Sequence, residues 1–200
     1  MPRGPRPGSA QEGLDFSVVK IYTKTGDDGT TGLLYGGRAD KNDLRIEAAG
    51  SIDEAVAALG LARATCTTPG LGELLLRLQR ELFAAGAEIA TSPENWRKLD
   101  VGKGTLIDAG LVDSLEQLID EHESRFTMPS EFIIPGENQG SAAIDLARAF
   151  VRRAERRCVA LSRESLLPDD EILKYLNRMA DLLFVLARYE EGGFTPLHER

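Results

Sequence analysis

Apolar residues recur along this chain at helical spacing, in long runs separated by short polar stretches rich in glycine and proline. From Glu47 to Thr65, Ile52, Val56, Leu59 and either Ala62 or Arg63 follow that period, and Thr67-Thr68-Pro69-Gly70 ends it. Leu71 to Ile89 is strongly amphipathic, with Leu71, Leu74, Leu75, Leu78, Leu82, Ala85 and Ile89 on one stripe. Thr91 to Thr105 holds Pro93, Gly102, Gly104 and the single Trp96, and predicts a loop. A third helix is expected over Asp108 to Phe126, through Leu111, Leu115, Leu118, Ile119 and His122, with Asp108 as its N-cap. Pro129 to Gly140 is a connection, and a fourth helix is expected from Asn138 to Ser162. Pro168-Asp169-Asp170 opens a fifth, which runs to about Tyr189 with Ile172, Leu176, Met179, Leu183 and Leu186 as its stripe. Five long helices with short links predict an all-α fold, a five-helix up-and-down bundle preceded by an irregular glycine-rich segment. Val18 to Tyr22 is a candidate short strand, but no run predicts a sheet and there is no internal repeat.

The glycine-rich segment changes this picture from scaffold to binding protein. Lys20 to Gly32 packs four Thr, three Gly and two Lys into thirteen residues. Glycines let backbone N–H groups approach an anion closely. Hydroxyls donate to phosphate oxygens and lysines neutralise them, so the segment reads as a polyphosphate cradle. No G-x-x-x-x-G-K-[ST] loop is present. A surface turn rich in small polar residues is the alternative.

The fourth helix carries a second unusual feature. Ala147, Phe150, Val151, Ala154, Cys158 and Leu161 form its apolar stripe, and Asp145, Arg148, Arg152, Glu155 and Arg156 share a separate face. Arg153 and Arg157 lie on a third side. Five arginines between positions 148 and 157 repel one another unless anions offset them. Those anions are Glu155, carboxylates from other elements, or a bound phosphate chain, for which the planar guanidinium fork is well suited.

Composition then narrows the function. The chain of 200 residues is long enough for one sizeable core and is expected to be one domain over 20–190, between a mobile tail at 1–19 and a C-terminal tail at 191–200. A net charge of -8 argues against general nucleic-acid binding, so the local arginine face selects a compact anion. Two cysteines, Cys66 and Cys158, make neither a disulfide framework nor a zinc site. His122 and His198 sit in no ligand pattern. No signal peptide and no apolar stretch of ~18 residues is visible, so no membrane partner is expected and a cytoplasmic location is.

Taken together the motifs resemble those of the ATP:corrinoid adenosyltransferases of the propanediol-utilisation (PduO) type. The resemblance rests on four blocks. The first is Tyr22-Thr23-Lys24-Thr25-Gly26-Asp27-x-Gly29-x-Thr31. The second is Gly36-Gly37-Arg38-x-x-Lys41-x-x-x-Arg45-x-Glu47-Ala48-x-Gly50-x-x-Asp53-Glu54. The third runs from Phe132-Ile133-Ile134-Pro135-Gly136 to Ala147-Arg148-x-x-x-Arg152-Arg153-Ala154-Glu155-Arg156. The fourth is Leu176-Asn177-Arg178-Met179-Ala180-Asp181-x-Leu183-Phe184.

The resemblance implies transfer of the 5′-deoxyadenosyl group of ATP to the cobalt of reduced cob(I)alamin, with release of triphosphate. It implies a homotrimer with sites between subunits, a flavoprotein reductase as electron source and an adenosylcobalamin-dependent mutase as recipient. Tyr22, Thr23, Thr25, Gly26, Gly29 and Thr31 would then wrap ATP, and Lys24, Lys41 and Arg152 would meet its phosphates. Mg²⁺ would bridge those phosphates, and Glu155 and Asn177 match positions that contact ATP or its metal. Arg148 matches an arginine that pairs with an aspartate across the subunit boundary, here Asp53. Phe132 matches the aromatic residue that fills the space beneath the corrin ring.

Each role has a plainer alternative. Asp53 and Glu54 read equally as helix-surface carboxylates, Phe132 as a core aromatic, Asn177 as a buried hydrogen-bonding residue and Lys41 as a solvated charge. The chain also departs from the family pattern: Asp145 stands where histidine is common, Glu137 replaces a glycine, and Ala180 replaces a serine. The two acids add negative charge near an anion site. They keep open a non-catalytic reading, a corrinoid carrier or ATP-gated chaperone, and a trimeric scaffold is a third.

Overall fold

The structure is a computed structural model that describes residues 22–198. The expected mobile tail at 1–19, and all of the candidate strand Val18–Tyr22 except its last residue, lie outside the described residues.

Five α-helices form among the described residues: α1 Leu44–Thr65, α2 Leu71–Ile89, α3 Ala109–Glu123, α4 Gln139–Arg163 and α5 Glu171–Glu191. Their ends are set by caps. Helix α1 starts three residues before the expected Glu47, because Asp43 accepts a hydrogen bond from Arg45 N at 2.8 Å. Gly70, at φ 82°, turns the chain into α2. Asp108 caps α3 as expected, but α3 closes at Glu123 instead of Phe126. Asn138 is the N-cap of α4 and not its first residue; it exchanges hydrogen bonds with Ser141. The 91–105 loop contains two short 3₁₀ turns, Pro93–Lys98 and Val101–Lys103.

Two small antiparallel pairs of strands correct the expectation of no sheet: the hairpin of β1 Thr30–Gly32 with β2 Arg38–Asp40, and the long-range pair of β3 Ile133–Ile134 with β4 Thr195–Pro196. Strands of two or three residues are too short to show a period of two in the sequence.

The helices alternate in direction. Arg153 meets Glu54 and Arg157 meets Glu47, so α1 and α4 run antiparallel. Arg178 meets Glu116 and Tyr189 meets His122, so α3 and α5 run parallel. The packing order is α2–α1–α4–α5–α3. The shared core holds Leu59, Leu75, Leu82, Leu115, Leu161 and Leu176, all fully buried. Small buried residues on both α1 (Ala48, Ala55, Ala62) and α4 (Ala147, Ala154, Cys158) permit the close contact of that pair. Ala62, not Arg63, completes the α1 stripe.

Two charged side chains tie the ends. Arg45, 5% exposed, donates through Nη1 to Ile89 O at 2.7 Å and Thr91 O at 2.8 Å, and through Nη2 to Leu166 O at 3.3 Å. At the opposite end Glu190 accepts from Thr67 N at 2.7 Å and Thr68 N at 3.0 Å, joining α5 to the α1–α2 turn. Gly140 leaves room for that carboxylate; a Cβ there would lie 2.6 Å from Glu190 Oε1.

Candidate active site

The segment at 22–41 folds as a hairpin closed by its own polar groups. Asp28 accepts from Thr30 N at 2.9 Å and Thr30 Oγ1 at 2.8 Å, contacts that hold its carboxyl below the usual range. Arg38 Nε donates to Thr30 Oγ1 at 2.9 Å, and its Nη2 to Thr25 O at 2.5 Å. Lys41 is no free surface charge: its Nζ donates to Gly26 O at 2.7 Å and its N to Gly29 O at 2.9 Å. Gly29, at φ 85°, makes the turn. Thr23 and Thr25 share a hydroxyl hydrogen bond of 2.8 Å, Thr31 is half-buried in β1, and Lys24 and Tyr22 are exposed with the ammonium 6.0 Å from the ring centroid.

The hairpin docks on the end of α2 through Leu34 N, which donates to Ala90 O at 2.9 Å. Carbonyls 89 and 91 point inward to Arg45 while carbonyl 90 receives the hairpin. Leu34 and Asp53 line one apolar groove of about 350 Å³ between α1 and α2, with Phe83 exposed at its edge.

The arginine face lies on the other flank. A groove of about 520 Å³ between α3, α4 and α5 is lined by Arg148, Arg152, Arg178, Asp181, Phe184 and Met128, among others. The arginines separate by partner. Arg153 pairs with Glu54, Arg157 Nη2 with Glu47 at 3.6 Å, and Arg148 Nε with Asp145 at 3.2 Å. Arg152 and Arg156 are exposed and have no ion pair among the described residues. Glu116, Asp120, Glu123 and Asp181 line the same groove, and Arg178 is engaged by Glu116 and Asp181, so Arg152 is the groove arginine that has no ion pair among the described residues and is suited to an anion. Glu155 and Asn177 are half-buried and joined, Asn177 Nδ2 donating to Glu155 Oε1 at 3.1 Å.

The remaining candidates and their neighbours are placed as follows. Glu54 is a structural partner of Arg153. Asp53 is exposed and makes no ion pair among the described residues. Phe132 is no core aromatic: it is 83% exposed, beside β3, with its carbonyl held by Leu197 N at 2.8 Å. Cys158 is buried, and burial pushes its thiol up to about 12. His122 is buried, with Nδ1 2.8 Å from Leu118 O.

The expected excess negative charge at Asp145 is corrected. Its carboxylate is 6% exposed and accepts from Arg188 Nη2 at 2.5 Å as well as from Arg148, so its charge is offset. Glu137 is exposed and Ala180 is buried on the floor of the arginine groove. Sequence reasoning left Arg38, Arg45 and Arg178 without roles, although all three lie inside the quoted motifs.

No residue of the hairpin lines the arginine groove. The predicted site residues therefore fall into two groups on separate flanks: the hairpin with Asp53, and Arg148, Arg152, Glu155 and Asn177.

The architecture is that of a helical-bundle protein with a glycine-rich hairpin on one flank and, on the other, a charged groove holding an arginine that has no ion pair among the described residues. The family model for cobalamin adenosyltransferase matches residues 21–190. The corrinoid adenosyltransferase of Citrobacter freundii is 41% identical over 174 residues, covering 87% of this chain and 96% of that protein. Human corrinoid adenosyltransferase MMAB is 39% identical over 186 residues, covering 90% of this chain and 74% of that protein. A solved structure of a variant PduO-type ATP:corrinoid adenosyltransferase from Lactobacillus reuteri, complexed with cobalamin and ATP, matches with a TM-score of 0.81 at 30% identity. It covers 90% of this chain and 100% of the other. The chain belongs to the cobalamin adenosyltransferase family.

Proposed function

We propose that this protein transfers the 5′-deoxyadenosyl group of ATP to the cobalt of reduced cob(I)alamin, forming adenosylcobalamin and triphosphate. The single observation that carries the site assignment is Arg152: a guanidinium without a protein partner, on the face expected to meet the nucleotide tail. In the reaction the C5′–O bond of ATP breaks as the bond to cobalt forms, and triphosphate leaves with the electron pair. The corrinoid supplies the nucleophile; the protein supplies position and charge. Arg152 and the hairpin lysines stabilise the negative charge that gathers on the leaving triphosphate. Thr23, Thr25, Thr31, Gly26 and Gly29 contribute hydroxyl and backbone contacts to the nucleotide, and Tyr22 closes against it. The exposed ring of Phe132 takes the place of the lower ligand beneath the corrin.

Magnesium fits this residue set as a substrate-bound ion. Among the described residues no group of three or more His, Cys, Asp or Glu could hold a metal. Mg²⁺ keeps several waters and phosphate oxygens as ligands and needs few from protein. Glu155, whose Oε1 is engaged by Asn177, would supply one carboxylate oxygen, and the ion would neutralise phosphate charge.

A homotrimer would suit the two-flank arrangement. A cyclic assembly joins unlike surfaces, head to tail. It would bring Asp53 and the hairpin of one subunit against Arg148 and Arg152 of the next. The apolar groove around Leu34 and Phe83 is suited to burial at that junction. No described helix is long and apolar enough to cross a membrane. A cytoplasmic setting, a flavoprotein reductase and an adenosylcobalamin-dependent mutase fit a consumer of ATP and reduced corrinoid. The carrier reading loses one of its two supports, because Asp145 is neutralised by Arg188.

The test is anaerobic incubation of reduced cobalamin with MgATP, followed by absorbance, with triphosphate measured alongside. Stoichiometric adenosylcobalamin and triphosphate over many turnovers support catalysis. Tight binding of adenosylcobalamin without turnover would favour the carrier.

A further inference from the structure

Asn177 is wedged between groups of opposite hydrogen-bonding character. Arg178 Nη1 donates to its Oδ1 at 2.7 Å, and its Nδ2 donates to Glu155 Oε1 at 3.1 Å. A guanidinium offers only donors, and an ionised carboxylate only acceptors. Turning the amide over would set donor against donor and acceptor against acceptor. Its neighbours therefore dictate its orientation. Arg178 is anchored in turn: its Nε donates to Glu116 Oε1 at 2.8 Å, and Asp181 Oδ2 lies 3.9 Å from Nη1. Glu116 comes from α3, Arg178 and Asn177 from α5, and Glu155 from α4. The chain Glu116–Arg178–Asn177–Glu155 thus crosses three helices and ends on the residue that neighbours Arg152 by one helical turn. Exposed ion pairs of the Glu116–Arg178 kind contribute little to folding, so stability alone is a weak reason for the arrangement.

We propose that Arg178, anchored by Glu116, is a positioning residue that fixes Asn177 and through it Glu155 for the nucleotide and its metal. The inference rests on the reading of Glu155 and Asn177 as nucleotide-side residues. With Asn177 holding Oε1, the other oxygen of Glu155 is presented to the ligand, and loss of Arg178 frees the amide to rotate and the carboxylate with it.

The experiment measures MgATP affinity by titration calorimetry without corrinoid, together with melting temperature and KM for each substrate. Arg178→Leu is expected to weaken MgATP binding about tenfold, the scale of one hydrogen bond to a charged group. Melting should move by no more than about 4 °C, and KM for corrinoid should stay near wild type. Glu116→Gln, which keeps an acceptor for Arg178, should have a smaller effect than Glu116→Leu. In an Asn177→Ala background, Arg178→Leu should add nothing further, because the relay is already cut. Unchanged affinity in Arg178→Leu, with Glu155→Gln still weakening MgATP binding, overturns the relay and leaves the site reading intact. Additive effects of the two substitutions overturn it as well. Unchanged affinity in Glu155→Gln removes the site reading on which the relay stands.

Discussion

Arg152→Gln should make this protein more stable and less active at once. On α4, Arg152 lies one turn from Arg148 and one turn from Arg156, and it has no carboxylate partner among the described residues. Like charges at i,i+4 cost ~0.2–0.5 kcal/mol per pair. Arg148 is partly offset by Asp145, and Glu155, three positions on, attracts Arg152 by a similar amount, so the net relief is less than ~0.5 kcal/mol. Glutamine and arginine have similar helix propensity, so the backbone term is small. The variant should therefore melt slightly higher, by at most ~2 °C. The gain should shrink at ~1 M salt, where the Debye length falls to ~3 Å. Catalysis should move the other way. Removal of one donor aimed at developing charge costs ~3 kcal/mol, or about 10²-fold in kcat. Arg152→Lys keeps the charge and loses the fork, and should fall between the two. Melting curves at low and high salt, with triphosphate release under anaerobic conditions, read both arms. Unchanged turnover, or a lower melting point at low salt, would refute the reasoning.

Burial of Glu88, fully enclosed with Oε1 unpartnered among the described residues, raises its carboxyl from 4.5 to about 7. The folded state binds that proton more tightly, so stability should be full below 4.5, decline as pH rises to about 7, and stay level above. The decline is roughly 3 kcal/mol; Glu88→Gln should flatten it in urea titrations, and a slope that persists would rule Glu88 out as its source. Asp145→Ala takes one of two carboxylates from the buried Arg188 guanidinium, which keeps Glu191, and leaves Arg148 without its ion pair; it should cost ~1.5–3 kcal/mol, with denaturant midpoints as the measure and a loss below ~1 kcal/mol as the contrary result. Gly140→Ala drives a methyl into Glu190 and should cost ~1–3 kcal/mol in denaturant titrations; adding Glu190→Gln should not recover it, because glutamine is as long as glutamate and its one oxygen cannot accept from both Thr67 N and Thr68 N.

The helices were legible because each must bury one stripe, and that demand writes a 3.6-residue period into the sequence. Helix ends were less legible, since Asp43 and Asn138 act through hydrogen bonds that leave no periodic trace. The two strand pairs were invisible for want of length. In the candidate site, the arginine cluster stood out as a charge anomaly, and the local motifs singled out Lys41, Glu155 and Asn177 as candidates. What could not be read was which arginine lacks a partner. Glu47 and Glu54 lie about a hundred positions from Arg157 and Arg153, and only the packing of α1 on α4 brings them together. Arg178 was overlooked for the same reason, because its anchor, Glu116, arrives from α3.

The placement of Asp53 and Arg148 on opposite flanks bears on mixtures of defective chains. In the proposed ring each catalytic unit would draw one half from either neighbour. A preparation lacking Asp53 and another lacking Arg148 would each be inert alone. Unfolded and reassembled together, they would form hybrid rings in which some junctions inherit both intact halves. Recovered turnover after co-refolding, absent when the two pools are merely blended as preformed particles, would be the sign of that shared ownership.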